Sequence, residues 1–546
     1  MIKKFEIITV SSLEKVMPDK APKLIETANS CFSNETFSFQ IAYYSDNLIP
    51  LETCDWEIDC DIAEFIRIRP VIPVPCTTPC FADADDFYLT KTPALIPDLL
   101  SDEKGFHPGY NIWQSLFVTV KGNLPIGNHD IVVKLKDETG SLLGCCKYSL
   151  TVLDYKLPSV DFKYAHWFHY DSLAAYYGVE VFSDKYMVIM SEFIKSAVAH
   201  GVNMLYIPLF TSPTNTKVGG ERLTVQLVDV FYENGVYRFD FSRLKQFMSL
   251  LCDLGVKFFE MCHLYTQWGA KAAPKILVQE NGVKTIKFGW NTPALGKEYK
   301  RFISAFLPSL IAFLKENGYD ENKCFFHISD EPNGETLEHY LEIKRFIKPM
   351  LKEYKIMDAL SNFDFYKSRA VDIPVVTTDG IQPFLDSKIE NLWVYYCCMQ
   401  GHSGLSNRFM AMPLYRTRVF GVQLYAVNCK GLLHWGYNYY NTALSEEYIN
   451  PYVITDAGRS FQSGDSFVVY PGKNGTPLDS IRHEVLFDAF QDFYALKLLE
   501  NKIGRKNTLE FVYSFGVRQN FTDYPKNAEW IIDFRKKLNV EIMHES

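Results

Sequence analysis

The spacing of apolar residues changes once along this chain, near residue 155. Before that point, short apolar runs with strand-like alternation are separated by turn-forming residues. Beyond it, apolar runs of strand length alternate with segments in which apolar residues recur at helical spacing. Short, regular strands are typical of a β-sandwich, whereas alternating strands and helices indicate a parallel sheet. The pattern therefore predicts two architectures in succession.

Residues 1–155 predict a β-sandwich domain. Turn residues such as those in Leu124–Asn128 separate its strands. The predicted strands are Phe5–Val10, Phe37–Tyr44, Phe65–Val74, Ser115–Val120, His129–Lys136 and Tyr148–Leu153. The segment Leu153–Val160 is expected to be a linker. We expect the domain to be a scaffold that packs on the next domain, with carbohydrate binding as the alternative.

Residues 160–503 predict a (β/α)8 barrel of the TIM type. Eight strand-like segments occur, which is the number that closes such a barrel. They are Phe162–Trp167, Asn203–Leu209, Lys257–Leu264, Cys324–Ser329, Lys355–Leu360, Val375–Thr378, Leu392–Cys398 and Gly431–Trp435. The clearest helical patterns are Asp184–His200, Phe241–Leu254, Lys297–Asn317, Leu337–Leu351 and Leu414–Val427. The fifth and sixth units have only weak helical patterns.

Two insertions and a C-terminal segment complete the pattern. Leu223–Phe239 and Lys275–Phe288 each contain Glu-Asn-Gly, which predicts hairpins on the face of the barrel that carries an active site. Asp479–Asn501 has one apolar face and predicts a long helix that closes the barrel. Residues 504–546 predict a C-terminal extension, a strand-like run and a helix, packed on the barrel.

Composition and charge narrow the class of partner. A net charge of -9 argues against a nucleic-acid partner, which requires a basic surface for phosphates. No window approaches the roughly 18 apolar residues of a membrane span, so we expect no membrane partner. The first residues contain no apolar signal-peptide region, which favours a cytoplasmic protein, with a mature secreted form as the alternative. The 13 cysteines have no framework spacing, which favours reduced thiols. The pattern does not indicate an oligomeric state.

Two adjacent carboxylates follow the fourth predicted strand, in the segment Cys324–Pro332. Asp330 and Glu331 are the candidate catalytic residues, because catalytic side chains of (β/α)8 barrels project from the carboxyl ends of strands. Alternation places Glu331 on the same side as His327 and Ser329, a polar row that suits the mouth of a barrel. The alternative is that one of the acids caps the next helix, with Pro332 in its first turn.

Aromatic and polar residues cluster at the ends of the other predicted strands. Aromatic rings present flat apolar faces to sugar C–H groups, while hydroxyl, amide and imidazole groups form hydrogen bonds with sugar hydroxyls. For a single aromatic residue, core packing is the more common role. The cluster nevertheless predicts a carbohydrate partner. The candidate substrate-binding residues are Trp167, His263, His327, Tyr395, Trp435, Tyr437 and Asn438.

A metal site is the competing use of the histidines, but the spacing does not favour it. His166, His169, His263 and His327 could converge with Asp330, yet no tight His-x-His or His-Glu-x-x-His spacing occurs. Cys76 and Cys80 form half a metal motif with no second pair at zinc-like spacing. The Gly-x-Ser-x-Gly turn of serine hydrolases is also absent from the sequence. We therefore expect no cofactor and no metal ion.

Three segments together carry a resemblance to a known family. They are His327-Ile-Ser-Asp-Glu-Pro332, Gly431-Leu-Leu-His-Trp-Gly-Tyr-Asn438, and Gly464–Gly472 followed by Leu478–Glu484. In these segments the chain resembles glycoside hydrolase family 123 and its uncharacterised relatives. The resemblance implies a sandwich followed by a barrel, and a retaining exo-β-N-acetylgalactosaminidase with substrate-assisted catalysis. It also implies that Asp330 holds the 2-acetamido group and that Glu331 is the general acid/base.

The chemistry of adjacent carboxylates agrees with that resemblance. Two neighbouring residues cannot easily flank a sugar from opposite faces, as the conventional pair of acid and nucleophile must. If the acetamido oxygen of the substrate is the nucleophile, one carboxylate orients the N–H and the other protonates the leaving oxygen. A negative Asp330 is expected to raise the pKa of Glu331. The alternatives are a glycosidase of other sugar specificity and a non-catalytic carbohydrate-binding protein.

Overall fold

The structure is a computed structural model that describes residues 5–46 and 53–544. The outermost limits of the predicted domains, residues 1 and 546, lie outside the described residues. Up to Leu153, the described part of the chain forms nine strands. They are β1 (Phe5–Ser11), β2 (Ala28–Phe32), β3 (Phe37–Ser45), β4 (Asp55–Asp59), β5 (Ile66–Cys76), β6 (Ala94–Leu100), β7 (Trp113–Val120), β8 (Gly127–Lys136) and β9 (Leu142–Leu153).

These strands form two sheets that enclose one apolar core. The sheets have the orders β1-β3-β7-β5-β6 and β2-β9-β8-β4. Phe39 and Val118 from the first sheet and Leu150 and Val152 from the second belong to the same buried cluster. The predicted β-sandwich is therefore confirmed.

Three strands of the sandwich, β2, β4 and β6, were not predicted from the sequence. All three lie at the edge of a sheet. An edge strand pairs on one side only and tolerates residues that are poor strand formers. Strand β4 alternates acids with Trp56 and Ile58, and β6 contains Pro97. Their pairing is therefore set by the neighbouring strand more than by their own sequence.

The second part of the chain alternates strands and helices. Its strands are β10 (Lys163–His166), β11 (Met204–Ile207), β12 (Asp229–Glu233), β13 (Val236–Asp240), β14 (Phe258–Met261), β15 (Ile276–Glu280), β16 (Val283–Phe288), β17 (Cys324–Phe326), β18 (Lys355–Leu360), β19 (Ile373–Thr377), β20 (Trp393–Tyr395), β21 (Gly431–His434), β22 (Val469–Pro471) and β23 (Pro477–Asp479). Its helices are α1 (Tyr170–Tyr177), α2 (Asp184–Ala199), α3 (Ser242–Asp253), α4 (Lys297–Glu316), α5 (Leu337–Leu351), α6 (Phe363–Lys367), α7 (Gln382–Asp386), α8 (Tyr415–Val427), α9 (Ile481–Ser514) and α10 (Ala528–His544).

Eight of these strands close into a parallel barrel, which confirms the predicted fold. The order around the barrel is β10-β11-β14-β17-β18-β19-β20-β21, and β21 pairs with β10 to close it. The helices of the fifth and sixth units, α6 and α7, have only five residues each, as their weak patterns predicted. Strands β17 and β20 end three residues earlier than predicted. Their last apolar residues belong to loops that bend over the barrel mouth.

The two predicted hairpins are present and join into one small sheet. Strands β12 and β13 turn at Asn234 and Gly235, and β15 and β16 turn at Asn281 and Gly282. All four turn residues have positive φ, which the inverse turns of tight hairpins require. Strands β12 and β15 pair in parallel. The sheet follows the carboxyl ends of β11 and β14, so it lies on the side of the barrel where the acids were predicted.

The regular secondary structure of the described C-terminal region, from residue 504 onward, is all helical. The predicted strand-like run after residue 504 is therefore wrong. Helix α9 continues to Ser514 across a kink at Gly504, where φ is 77° and ψ is 159°. From α10, Arg535 forms ion pairs with Asp492 of α9 and with Glu35 of the sandwich. The C-terminal helix therefore ties the sandwich to the barrel. No helix in the described ranges is long and apolar enough to cross a membrane.

We predict that Gly421→Ala destabilises the packing of α8 on α9. A methyl group at this position would lie 1.7 Å from the carbonyl oxygen of Ala489. The resulting overpacking costs about 1–3 kcal/mol or more, which outweighs the gain of about 1 kcal/mol in helix propensity. The thermal unfolding midpoint should fall, whereas the control Gly289→Ala, whose methyl meets nothing within 4 Å, should leave it unchanged. Equal midpoints for both variants would contradict this close approach.

Candidate active site

A cavity of about 260 Å³ opens at the carboxyl ends of the barrel strands. Both predicted acids line it. Because all eight strands are parallel, the loops that follow them meet at this one face. The lining residues are Trp167, Thr214, Asn215, Gln267, Trp268, Asp330, Glu331, Ala359, Tyr395, Cys397, Cys398, Leu433, Trp435, Ala443, Leu444 and Phe461.

The loop that carries the two acids does not cap a helix. The short turn after it has Asn333 at its N-cap, and α5 has Thr336. The capping alternative for Asp330 and Glu331 is therefore wrong. Glu331 has a φ of 42°, a left-handed conformation that costs a residue with a side chain of this kind about 1–3 kcal/mol. Such strain persists where the surrounding structure holds it, commonly at functional sites.

Backbone hydrogen bonds from the preceding loop hold the acids in place. The amide of Trp268 donates to the carbonyl oxygen of Asp330 at 2.9 Å, and the amide of Tyr265 donates to that of Ile328 at 3.1 Å. The loop after β14 thus runs beside the loop after β17. Trp268 also has a positive φ of 56° and is 44% exposed, which places a large ring at the cavity mouth.

Burial raises the pKa of both carboxyls. For Asp330 the rise is large, because burial is reinforced by the negative charges of Glu331 and Asp358. For Glu331 burial is the cause, and a hydrogen bond of 2.7 Å from the hydroxyl of Tyr395 to Oε1 opposes it. The expected repulsion between the acids is mutual and belongs to the pair. Ionisation of one acid opposes ionisation of the other.

Three of the seven predicted binding residues line the cavity: Trp167, Tyr395 and Trp435. The indole N–H of Trp167 is buried and has no hydrogen-bond partner among the described residues. The indole N–H of Trp435 donates to Asp465 at 3.0 Å. Burial and a hydrogen bond with Cys398 raise the pKa of Cys397, so this thiol is neutral and presents a weakly polar surface.

The predicted residues His263 and His327 are buried and lie outside the set that lines the cavity. Their rings stack at 4.5 Å. His327 is held between two acids, with Nδ1 at 2.9 Å from Asp358 and Nε2 at 3.3 Å from Glu260. These carboxylates raise the pKa of His327 to about 10 against the effect of burial. The ring is therefore a buried cation.

Tyr437 and Asn438 are also buried away from the cavity lining. The hydroxyl of Tyr437 donates to the carbonyl oxygen of Phe193 in α2 at 3.0 Å. The side-chain amide of Asn438 exchanges hydrogen bonds with the backbone of His169 at 2.8 and 3.2 Å. Both side chains thus fix the loop after β21 to the rest of the barrel.

The competing metal arrangement, in which four histidines would converge with Asp330, does not occur among the described residues. His166 and His169 instead lie within hydrogen-bond distance of Arg408 and Arg222. Of this set, ligand atoms of His263 and His327 lie within 4.8 Å of each other and of Asp358. In that cluster the protonated ring of His327 already supplies the positive charge between the carboxylates. The geometry is explained as a buried ion-pair network.

Residues 167–499 match the family described as Glycoside hydrolase 123, catalytic domain. That range covers more than half of the chain. The chain belongs to glycoside hydrolase family 123. The resemblance noted in the sequence is therefore confirmed. Membership of family 123 supports glycoside hydrolase activity for this chain. A search of curated proteins found no match.

Solved structures of glycoside hydrolases were compared with this chain for their fold. The chain is similar to a family 123 glycoside hydrolase from Clostridium perfringens, solved in a study of glycolipid glycan hydrolysis. The TM-score is 0.74 with 14% identity, over 99% of this chain and 97% of that chain. A glycoside hydrolase family 5 xyloglucanase from Bacteroides ovatus has a TM-score of 0.33 with 9% identity, over 86% of this chain and 98% of that chain. At 14% identity, the first likeness shows a shared fold and no more.

Several polar residues around this family 123 site were missed in the sequence. Glu260 and Asp358 each interrupt an apolar strand, which is a pattern that could have identified them as buried partners. Asp465 and Arg408 lie in loops without such a pattern, and only the place of Asp465 in the segment Gly464–Gly472, which carries the family resemblance, could have drawn attention to it. Their role depends on contacts between loops far apart in the sequence.

We predict that His327 stays protonated across the neutral range. Its pKa of about 10 lies above the ordinary value of 6.5. The interaction of protonated His327 with Asp358 and Glu260 therefore stabilises the fold fully below about pH 6.5, and this stabilisation is lost as pH rises through about 10. Histidine side-chain NMR should show one ring, absent in His327→Gln, that does not titrate between pH 5 and 9. A midpoint near 6.5 for that ring would mean that the carboxylates do not hold its proton.

Proposed function

We propose that this chain is a retaining exo-β-N-acetylgalactosaminidase that uses the substrate's 2-acetamido group as nucleophile. The observation that carries the proposal is the position of Asp330 and Glu331. They are consecutive residues of one strand-end loop, and among the described residues they are the carboxylates that line the cavity. A conventional retaining enzyme needs a nucleophile and an acid about 5 Å apart on either side of the glycosidic bond. Two consecutive residues can instead act on the same side of the sugar, one on the acetamido group and the other on the leaving oxygen.

Glu331 is assigned as general acid and then general base. Its raised pKa favours the protonated form that an acid needs before the bond breaks. The hydroxyl of Tyr395 fixes Oε1, so the other oxygen, Oε2, is assigned the role of protonating the leaving group. After the aglycone leaves, the same carboxylate accepts a proton from the attacking water.

Asp330 is assigned to the acetamido group. Burial, reinforced by the negative charge of Glu331, raises its pKa. A bound acetamide N–H donates to the carboxylate and favours its ionised form. The acetamido oxygen then attacks the anomeric carbon and forms a bicyclic oxazolinium ion, with Asp330 holding its nitrogen. Water opens this ion with net retention of configuration.

The size and walls of the cavity support a single terminal sugar. Its volume of about 260 Å³ is below the roughly 300–1,000 Å³ of pockets for larger ligands, which favours exo cleavage. Trp167 and Trp435 offer aromatic surfaces to the C–H groups of a sugar. The choice of N-acetylgalactosamine rests on the family resemblance. The study of the Clostridium perfringens relative makes the glycan of a glycolipid a suitable substrate class to test.

We predict that turnover requires the 2-acetamido group. Purified protein should cleave aryl β-N-acetylgalactosaminide, whereas the aryl β-galactoside, which lacks the internal nucleophile, should be nearly inert. A thiazoline analogue of the oxazolinium ion should bind about 10²-fold or more tighter than substrate, because the site is complementary to the transition state. Initial rates on aryl N-acetylgalactosaminide, N-acetylglucosaminide, galactoside and glucoside measure this.

The same panel separates the alternatives. Efficient cleavage of the galactoside would rule out substrate assistance. Preference for another 2-acetamido sugar would keep the mechanism and change the specificity. Tight binding of the sugar without any turnover would identify a non-catalytic carbohydrate-binding protein.

We predict different behaviour for variants of the two acids. Glu331→Gln should lose about 10²- to 10⁴-fold in kcat/KM on substrates with poor leaving groups and less on activated aryl glycosides, since only the former need protonation. Asp330→Asn should reduce turnover of all 2-acetamido substrates alike. The measurement is kcat/KM against the pKa of the leaving phenol. Parallel lines for wild type and Glu331→Gln would show that Glu331 is not the acid.

A further inference from the structure

Asp465 lies outside the lining of the catalytic cavity and is completely buried. It is on the long loop after β21, 30 residues beyond Trp435, and its Oδ2 accepts the indole N–H of Trp435 at 3.0 Å. We propose that Asp465 is a positioning residue that holds Trp435 in the wall of the sugar cavity, with His434 and Arg408 holding Asp465 in turn. This inference rests on the proposed function, since it treats the cavity as the sugar site.

The indole N–H is the polar anchor of the Trp435 side chain. Among the described residues, the ring also meets three aromatic rings edge-on, at centroid distances of 5.1 Å for Tyr439, 5.3 Å for Phe461 and 6.1 Å for His169. Edge contacts of this kind are weak and tolerate sliding of the ring. A hydrogen bond to a buried carboxylate is stronger and directional. Asp465 therefore determines where the ring lies along the wall.

The second oxygen of Asp465 faces His434, and the tautomer of that ring decides whether the oxygen meets an N–H group. The Nδ1 atom of His434 accepts from Arg408 at 2.8 Å and from the amide of Gly436 at 3.0 Å. Burial and the charge of Arg408 hold the pKa of His434 well below its usual range, so the ring is neutral. A neutral ring whose Nδ1 accepts carries its proton on Nε2.

That Nε2–H faces the carboxylate. Nε2 of His434 lies 3.6 Å from Oδ1 of Asp465, and neither atom has another partner among the described residues. A distance of 3.6 Å is longer than a hydrogen bond, yet donor and acceptor are matched and both are shielded from water. Trp435 and His434 are consecutive residues at the end of β21. The carboxylate therefore meets an N–H group from each of two adjacent side chains.

Arg408 fixes the loops that bring these groups together. Its Nη2 donates to the carbonyl oxygen of Gly436 at 2.7 Å and to that of Asp465 at 3.2 Å, in addition to His434. One guanidinium thus holds the backbone on both sides of the contact. Burial raises the pKa of Asp465 to about 7, and the positive charges of Arg408 and Arg482 limit this rise. The indole N–H of Trp435 can donate to an oxygen of the carboxyl group in either protonation state.

A double-mutant cycle tests the proposal. Trp435→Phe removes the indole N–H, and Asp465→Ala removes its acceptor; each should reduce kcat/KM for the aryl N-acetylgalactosaminide roughly ten- to hundredfold, with KM changing more than kcat. If Asp465 acts through Trp435, the double variant should be no worse than the poorer single variant. Losses that multiply in the double variant, or an Asp465→Ala enzyme with unchanged kcat and KM, would overturn the proposal.

A matched control uses another tryptophan. Trp530→Phe removes an indole N–H that donates to the carbonyl oxygen of Phe515 in the C-terminal region. Combined with Asp465→Ala, it should give independent effects. Asp465→Asn should recover part of the lost activity, because an amide oxygen still accepts from the indole. If Asp465→Ala does not fold, Asp465→Asn takes its place in the cycle.

A spectroscopic readout separates this inference from the proposed function. Protein labelled with 5-fluorotryptophan gives a ¹⁹F resonance for Trp435 that Trp435→Phe identifies. That resonance should shift in Asp465→Asn while the resonance of Trp530 does not. An unmoved Trp435 resonance would overturn the positioning role even if the enzyme is active. If wild-type protein turns over none of the aryl glycosides, the proposed function is wrong. The ¹⁹F shift of Trp435 in Asp465→Asn would then still test the contact between Asp465 and Trp435.

Discussion

The carboxylate of Asp358 holds the loop on which the proposed chemistry depends. It lies inside the barrel on β18, where it accepts hydrogen bonds from His327, from the amides of Ile328 and Ser329, and from the hydroxyl of Tyr340. An unpaired charge buried at this depth would cost several kcal/mol, so each partner is constrained to stay. The loop that carries Asp330 and Glu331 is thereby fixed immediately before the two acids, and the strained backbone of Glu331 can persist.

Two buried networks hold opposite sides of the cavity. Beneath the acids, the protonated ring of His327 joins Glu260 of β14 to Asp358 of β18, so three neighbouring strands meet at one cation. Behind Trp435, Arg408 and His434 surround Asp465. Neither network lies in the cavity lining. Both place polar groups where they support the side chains that line the cavity.

The sequence predicted what local pattern determines. The eight apolar runs identified the barrel, and the acids before Pro332 identified the cavity, because a buried strand that ends in polar residues has few other uses in this fold. Local pattern did not show whether a side chain faces the cavity or lies buried behind its wall. His263, His327, Tyr437 and Asn438 were predicted as sugar contacts, yet the structure buries them as supports. Asp465 was missed because its role depends on contacts that no local pattern shows, and the edge strands were missed because they contain poor strand formers.

The central claim is that the nucleophile belongs to the substrate. The most direct measurement is kcat/KM for aryl glycosides whose N-acetyl group carries zero, one, two or three fluorine atoms. Fluorine withdraws electrons and weakens the acetamido oxygen as a nucleophile, while the leaving group stays the same. The account predicts a steep, progressive loss of kcat/KM with each fluorine. A rate that does not depend on fluorination would place the nucleophile on the protein and contradict the account.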